Sequence, residues 1–594
     1  MAPVTPTSSS SSTGTGIPEA HLALLKDNVD DSLMTDFATA PLFTENVRLA
    51  VDYESSGPDD EPIFSQYGLL GGDVTAGKLD RLRTGGLDPR VFYNTAAPSS
   101  TFICGSQGSG KSHTLSVLLE NSLAKSVANV LPRPLTGLLF HRDSFVSETA
   151  GAPCEAAYLS SNPAISVRVL CAPSNIMNIR RIYSNLPNVT VEELRINQSD
   201  LNTDRMLGLM AVHTGKDGGM PLYLYVLNRI LRDLRIEQQR SGLAFNYGKF
   251  KATIAKEAML DSQLLPLQQR LETLESFMVK DQAPQYKLGM KKKQSQKQSH
   301  KSQQSSVDGE DVAKGNIWFP KPGQLTIVDL SCPCITAELA CSLFGICLSL
   351  FLEQSLDIGR IVALDEAHKF MNDSAECASL TEGLLRTIRE QRHLAARVII
   401  STQEPTISTK LLDLCSMTIV HRFTSPEWLL ALKKHLAGAS KHTKADADGL
   451  SEATWSEDAV VRPLVLKGDD YMSALFSQIV KLRTGEALVF APSAVIDVDY
   501  NACDETVDDE VVNEDSQEVL EPADDTGAKI YAESDIASSP KSSAGDDAES
   551  AADDVYDSDE SEYFPSPKKL GDGVLKLRIR MRVTADGGRS VMAH

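Results

Sequence analysis

Between positions 105 and 112 the chain reads Gly-Ser-Gln-Gly-Ser-Gly-Lys-Ser. Gly105, Gly110, Lys111 and Ser112 stand at the G-x-x-x-x-G-K-S spacing of a phosphate-binding loop, the Walker A motif. Glycines let main-chain N–H groups curl around a polyphosphate with no Cβ in the way. The candidate nucleotide contacts are Gly105, Ser106, Gln107, Gly108, Ser109, Gly110, Lys111, Ser112 and His113. Lys111 can reach the β- and γ-phosphates, and the Ser112 hydroxyl can hold Mg²⁺. A second stretch, IVALDEAHKFM at 361–371, places Asp365 and Glu366 at the end of an apolar run, as a Walker B motif does. Asp365 is suited to hold Mg²⁺ through water, and Glu366 to polarise an attacking water. A third apolar run, 397–402, ends in Ser401-Thr402-Gln403-Glu404-Pro405. Gln403 can sense the γ-phosphate or orient the water. The ligands this chemistry calls for are ATP and Mg²⁺.

These side chains need strands to deliver them to one edge of a sheet. Thr101–Cys104 is apolar and β-prone, and the run after the loop carries Leu115, Leu118 and Leu119 at helical spacing. Further strand candidates are 135–140, 165–170, 324–331, 361–364, 417–420 and 486–490, the run at 417–420 delivering His421 and Arg422. Strands alternating with helices imply an α/β fold with a mostly parallel sheet, and ligands belong at the carboxyl ends of its strands. A buried helix is expected near 336–353. The stretch 176–279 reads as a helical insertion, with a capping-box spacing at Thr190 and Glu193 and a leucine stripe at 264, 267, 271 and 274.

The composition divides the rest. Residues 1–16 are Ser/Thr-rich and read as a disordered tail, and 17–90 as a lead-in to a core at 91–500. Within that core, 280–316 is a flexible basic linker suited to a phosphate backbone or a nuclear-import signal. Residues 501–567 form an acidic tail read as disordered, and 568–594 a basic segment whose alternating stretch 574–583 suits an edge strand or an anionic surface. The formal charge of −22 is concentrated there: 504–562 holds 22 acidic side chains against Lys529 and Lys541. An acidic total therefore does not exclude nucleic acid as a partner. No apolar run is long enough for a membrane helix. Ten scattered cysteines read as reduced, which predicts an intracellular protein, nuclear or cytoplasmic.

A phosphate loop, a long insertion, an extra strand, an acidic strand and a polar-tipped strand follow one another in that order. The glutamate beside the metal aspartate looks like the additional-strand, catalytic-glutamate class of P-loop ATPases. Within that class, REQRHLAARVIISTQEP at 389–405 resembles the HerA–FtsK family of DNA-pumping ATPases, as do QLTIVDLS at 324–331 and GEALVF at 485–490. The resemblance implies a RecA-like fold, ATP hydrolysis, DNA as partner and homo-oligomeric rings. It also implies a basic finger acting across a subunit boundary, for which Arg389, Arg392 and Arg422 are the candidates. The letters DEAH at 365–368 invite a helicase reading, but Lys111 and Asp365 are too far apart in sequence for a DExH core. A slow nucleotide-dependent switch or scaffold acting on protein partners fits the same residues.

Overall fold

The computed structural model describes residues 29–54, 62–75, 88–143, 151–209, 222–257, 259–283, 315–371, 374–404, 408–439, 469–499 and 566–587. The expected tail at 1–16, the lysines at 291–301 and the acidic tract at 504–562 lie outside them. The described strands are β1 (Leu42–Thr44), β2 (Tyr67–Asp73), β3 (Arg90–Asn94), β4 (Ser100–Cys104), β5 (Asn129–Val130) and β6 (Thr136–His141). Then come β7 (Ser166–Cys171), β8 (Val189–Glu193), β9 (Gln324–Asp329), β10 (Arg360–Leu364) and β11 (Ala396–Thr402). The last are β12 (Met417–Val420), β13 (Glu486–Phe490), β14 (Val495–Asp499), β15 (Ser566–Lys569) and β16 (Leu575–Ile579).

They form one sheet with two characters. From β12 onward the order is β12-β4-β11-β10-β6-β9-β7-β8, and every pairing along it is parallel. The sequence shows why: β10 (RIVAL) and β11 (ARVIIST) are buried along their whole length. A strand covered on both faces reads as a continuous apolar run rather than an alternating one. Successive side chains still divide between two cores. Ile361, Ala363 and Ile399 pack with the helix Lys111–Leu123, while Val362, Leu364 and Val398 pack with the helices Ala337–Leu352 and Ala375–Arg389. The result is a sheet with helices on both faces. The other half, β15-β14-β1-β3-β2-β16-β13-β12, is antiparallel except at the β1–β14 pair.

Three expectations shift. Thr190 and Glu193 do not cap a helix; they lie in β8, and the capping box forms at Asn197 and Asp200 instead. The other described residues of 176–279 are mainly helical, with Leu267, Leu271 and Leu274 buried as the core face of the helix Asp261–Phe277. The alternation at 574–583 produces β16 as an interior strand between β13 and β2, not an edge: its apolar residues Leu575, Leu577 and Ile579 are buried. The acidic stretch is also not a free tail at both of its ends. Asp499 and Ser566 face each other across the β14–β15 pair, and the Ser566 hydroxyl donates to the Asp499 carbonyl at 3.0 Å. Among the described residues no helix is long and apolar enough to cross a membrane.

Candidate nucleotide-binding and hydrolysis site

Parallel strands bring their carboxyl ends to one edge, and the register aligns those ends. Cys104 pairs with Thr402 on one side and Val420 on the other, and Leu364 lies one strand further on, opposite Ile400 and Phe140. The loop after β4, the acidic pair after β10, Gln403 after β11 and His421-Arg422 after β12 therefore share one edge. The strand β11 separates the loop strand β4 from the acidic strand β10.

The loop takes the conformation its glycines permit. Gly105, Gly108 and Gly110 have φ of 152°, 71° and 116°. At Gly105 a Cβ would also stand 2.7 Å from the Cβ of His421 and 2.8 Å from Ser109 Oγ, so no other residue fits there. Gly110 caps the helix that begins at Lys111. The Ser106 amide and hydroxyl both donate to the Arg422 carbonyl, at 2.9 and 2.8 Å, which ties the loop to the β12 end. Gln107 and Gly108 are exposed; Ser112 and His113 are half-buried, and His113 Nε2 lies 2.8 Å from the Arg580 carbonyl.

Lys111 is 3% exposed, and its ammonium donates to the Ser106 carbonyl at 3.1 Å. It stands 4.0 Å from Glu366 Oε1. Burial pulls its pKa below the ordinary lysine value, opposed by the carboxylates of Glu366 and Asp365. Glu366 has φ 51° and ψ 46°, left-handed backbone that non-glycine residues avoid at a cost of about 1–3 kcal/mol. Its Oε2 accepts from Gln403 Nε2 at 2.9 Å. His368 Nδ1 lies 3.4 Å from that oxygen and 3.4 Å from the Gln403 amide nitrogen, and burial lowers its pKa. Lys111, Glu366 and Gln403 thus form one connected set.

Asp365 is 3% exposed, and its Oδ1 has no hydrogen-bond partner among the described residues. A buried carboxylate oxygen left open at this edge, with the Ser112 hydroxyl on the first turn of the loop helix, fits a hard ion such as Mg²⁺.

The arginines separate. Arg422 sits exposed beside the loop. Arg392 is exposed in the turn before β11, at the opposite edge of the sheet, as is Arg389 at the end of its helix. The seven residues of β11 put roughly 20 Å between Arg392 and this chain's own site.

Sequence reasoning missed His421 as a supporting residue. It is fully buried, its Nδ1 lies 3.0 Å from the Glu486 carbonyl, and its Nε2 lies 2.9 Å from the Thr114 hydroxyl. A carbonyl can only accept, so Nδ1 carries the proton and Nε2 accepts from Thr114. Arg142 was also passed over; its guanidinium donates to the carbonyls of Lys369 and Ile335, fixing the chain on either side of the acidic strand. Neither role has a local sequence signal, because the partners lie far away along the chain.

No protein-family model and no curated protein matches the chain. Among solved structures it is similar to VirB4 of Thermoanaerobacter pseudethanolicus, at 12% identity and TM-score 0.35 over 72% of this chain and 94% of that one. It is similar also to the plasmid coupling protein TrwB in complex with the ATP analogue ADPNP, at 13% identity and TM-score 0.34 over 74% and 93%. The genome packaging NTPase B204 from Sulfolobus turreted icosahedral virus 2 matches at 13% identity and TM-score 0.18 over 28% and 62%. At such scores the fold class rests on strand order and loop geometry, not on the likeness. The strand order, with β11 between the loop strand and the acidic strand, gives the chain the RecA-like α/β fold of a P-loop NTPase of the additional-strand kind.

Proposed function

We propose that this chain binds ATP with Mg²⁺ and hydrolyses it, and that turnover is coupled to moving or handling DNA as in HerA–FtsK-like ATPases. The observation that supports it most is the connected set Lys111–Glu366–Gln403 at the carboxyl edge of the parallel sheet. The loop amides and the helix amino terminus hold the phosphates. Lys111 leaves the Ser106 carbonyl for the stronger phosphate acceptor and neutralises charge developing on it. Ser112 and Asp365 would hold Mg²⁺, which when bound would offset phosphate charge. Glu366 accepts the proton of the attacking water, and Gln403, donating to its other oxygen, fixes the carboxylate's direction. Arg422 stands near this chain's own loop, whereas Arg392 reaches a phosphate only in a neighbouring copy, so a finger at Arg392 requires a homo-oligomer.

The test is ATP hydrolysis by the full chain with and without double-stranded DNA, across a salt series. Stimulation by DNA that fades as salt rises is expected. Tight ATP binding with slow turnover indifferent to DNA would replace this reading with the nucleotide-dependent switch.

A further inference from the structure

Behind the acidic strand end, three side chains from separate elements converge. His141 ends β6, Cys154 precedes the short turn Glu155–Ser161, and Asp365 follows β10. The imidazole nitrogen, the sulfur and a carboxylate oxygen all lie within 4.8 Å of one another. His141 Nδ1 is 3.7 Å from Asp365 Oδ2, and Cys154 Sγ is 3.9 Å from the same oxygen. The residues are 7%, 0% and 3% exposed. His141 Nδ1 has no hydrogen-bond partner among the described residues, although it is buried and faces Asp365 Oδ2.

An orphaned buried polar atom costs about 1–3 kcal/mol. The spacing is too long for the imidazole to bond the carboxylate, but it suits ligands around a common centre. With bonds of about 2.0–2.3 Å, a tetrahedral ion sets its ligands roughly 3.3–3.8 Å apart, so the 3.7 Å separation is within reach and the 3.9 Å one contracts slightly on loading. One nitrogen, one sulfur and one oxygen donor form a borderline-soft set, whereas Mg²⁺ and Ca²⁺ take oxygen shells. Outer contacts that steady such ligands are present too. The Cys154 amide donates to the Tyr183 hydroxyl at 3.0 Å, and that hydroxyl donates to Asp329 Oδ2 at 2.7 Å.

We propose that His141, Cys154 and Asp365 form a binding site for one divalent cation of the zinc type, with a fourth position left for water. Loading releases the thiol proton of Cys154, because the thiolate is the metal ligand. The ion engages the carboxylate assigned above to Mg²⁺. If that reading of Asp365 holds, zinc withdraws Asp365 from nucleotide chemistry and inhibits turnover.

Cobalt(II) is the probe, added to the full chain without nucleotide, so an inactive ATPase would leave the result readable. One equivalent should give a near-ultraviolet thiolate-to-cobalt band and tetrahedral visible bands, both displaced by Zn²⁺. Cys154→Ser should abolish the near-ultraviolet band, and His141→Ala should weaken binding roughly tenfold or more. Cys341 and Cys377 form another close pair of buried sulfurs, 2.8 Å apart, and the double variant Cys341→Ser/Cys377→Ser should keep the signal. X-ray absorption of the zinc-loaded wild type, which needs no variant to fold, should show one sulfur and lighter ligands. A missing band, a band retained in Cys154→Ser, or a shell of several sulfurs or of none would overturn the site.

Discussion

Glu366 is held in strained left-handed backbone with its carboxylate between an ammonium and an amide. Such strain persists where the surroundings over-determine a conformation, and here it aims one oxygen at Lys111 and the other at Gln403. Three substitutions separate the roles. Lys111→Ala should abolish ATP binding in a fluorescent-nucleotide titration. Glu366→Gln should keep binding but lower turnover by about 10²–10⁴-fold, the usual reach of a general base. Gln403→Ala should reduce turnover less while leaving the nucleotide Kd within a few-fold. His421 makes a separate prediction. Burial holds its pKa down to about 4, so the folded chain refuses a proton that the unfolded chain accepts near 6.5. Stability is then full above pH 6.5 and falls as pH drops toward 4, by about 3 kcal/mol in all. Urea midpoints of the wild type should fall across that window, and those of His421→Gln should fall less. The loop and the Asp365-Glu366 pair were legible because their chemistry is contiguous in sequence. His421 was not, since Thr114 lies 307 positions away and Glu486 lies 65.

At the scale of elements, the segment after β16 is stitched to the loop helix through Glu120. That carboxylate is 3% exposed and accepts from Arg580 Nη1 at 2.8 Å, the Thr584 amide at 3.0 Å and the Val583 amide at 3.2 Å. Arg580 and Arg582 have side chains only 7% and 2% exposed. Removing one member of a buried charge cluster strands the others, so Glu120→Ala should cost about 3–5 kcal/mol by chemical denaturation. The parallel strands β4, β6, β10 and β11 could be read from their apolar runs, because burial on both faces leaves no other pattern. β8 was read as a helix start because Thr190 and Glu193 match a cap by spacing, yet pairing with β7 overrides that local preference. The alternation in β16 was legible as a strand, but its interior place was not, since both partners are distant in sequence.

At the scale of the whole molecule, the strands β14 and β15 form a hairpin joined by the 66 residues from 500 to 565. Its ends already face each other, so a two-residue Asn-Gly turn can replace all of them without altering the sheet. A shorter link generally costs less chain entropy to close. The shortened chain should melt at higher temperature and keep the basal ATP turnover of the full chain. A loss of DNA stimulation alone in that variant would assign the acidic stretch a part in the response to DNA.

The interior position of β16 also has a consequence for how the protein is made. β2 leaves the ribosome ahead of Leu577–Ile579, which pair with Gly71–Asp73 and follow some 500 residues later. At about 5–20 residues per second that interval is roughly 25–100 s. Throughout it the nascent chain holds an open strand edge of the kind that recruits unwanted neighbours. The sequence of β2, YGLLGGD, is rich in glycine, a residue poorly inclined to pair spontaneously in a strand. Gly71 is also required by the finished sheet, where a Cβ would collide with the Arg578 carbonyl oxygen. The glycine that admits β16 thus also keeps its waiting edge a poor template, and this part of the sheet is completed only once β16 has been made.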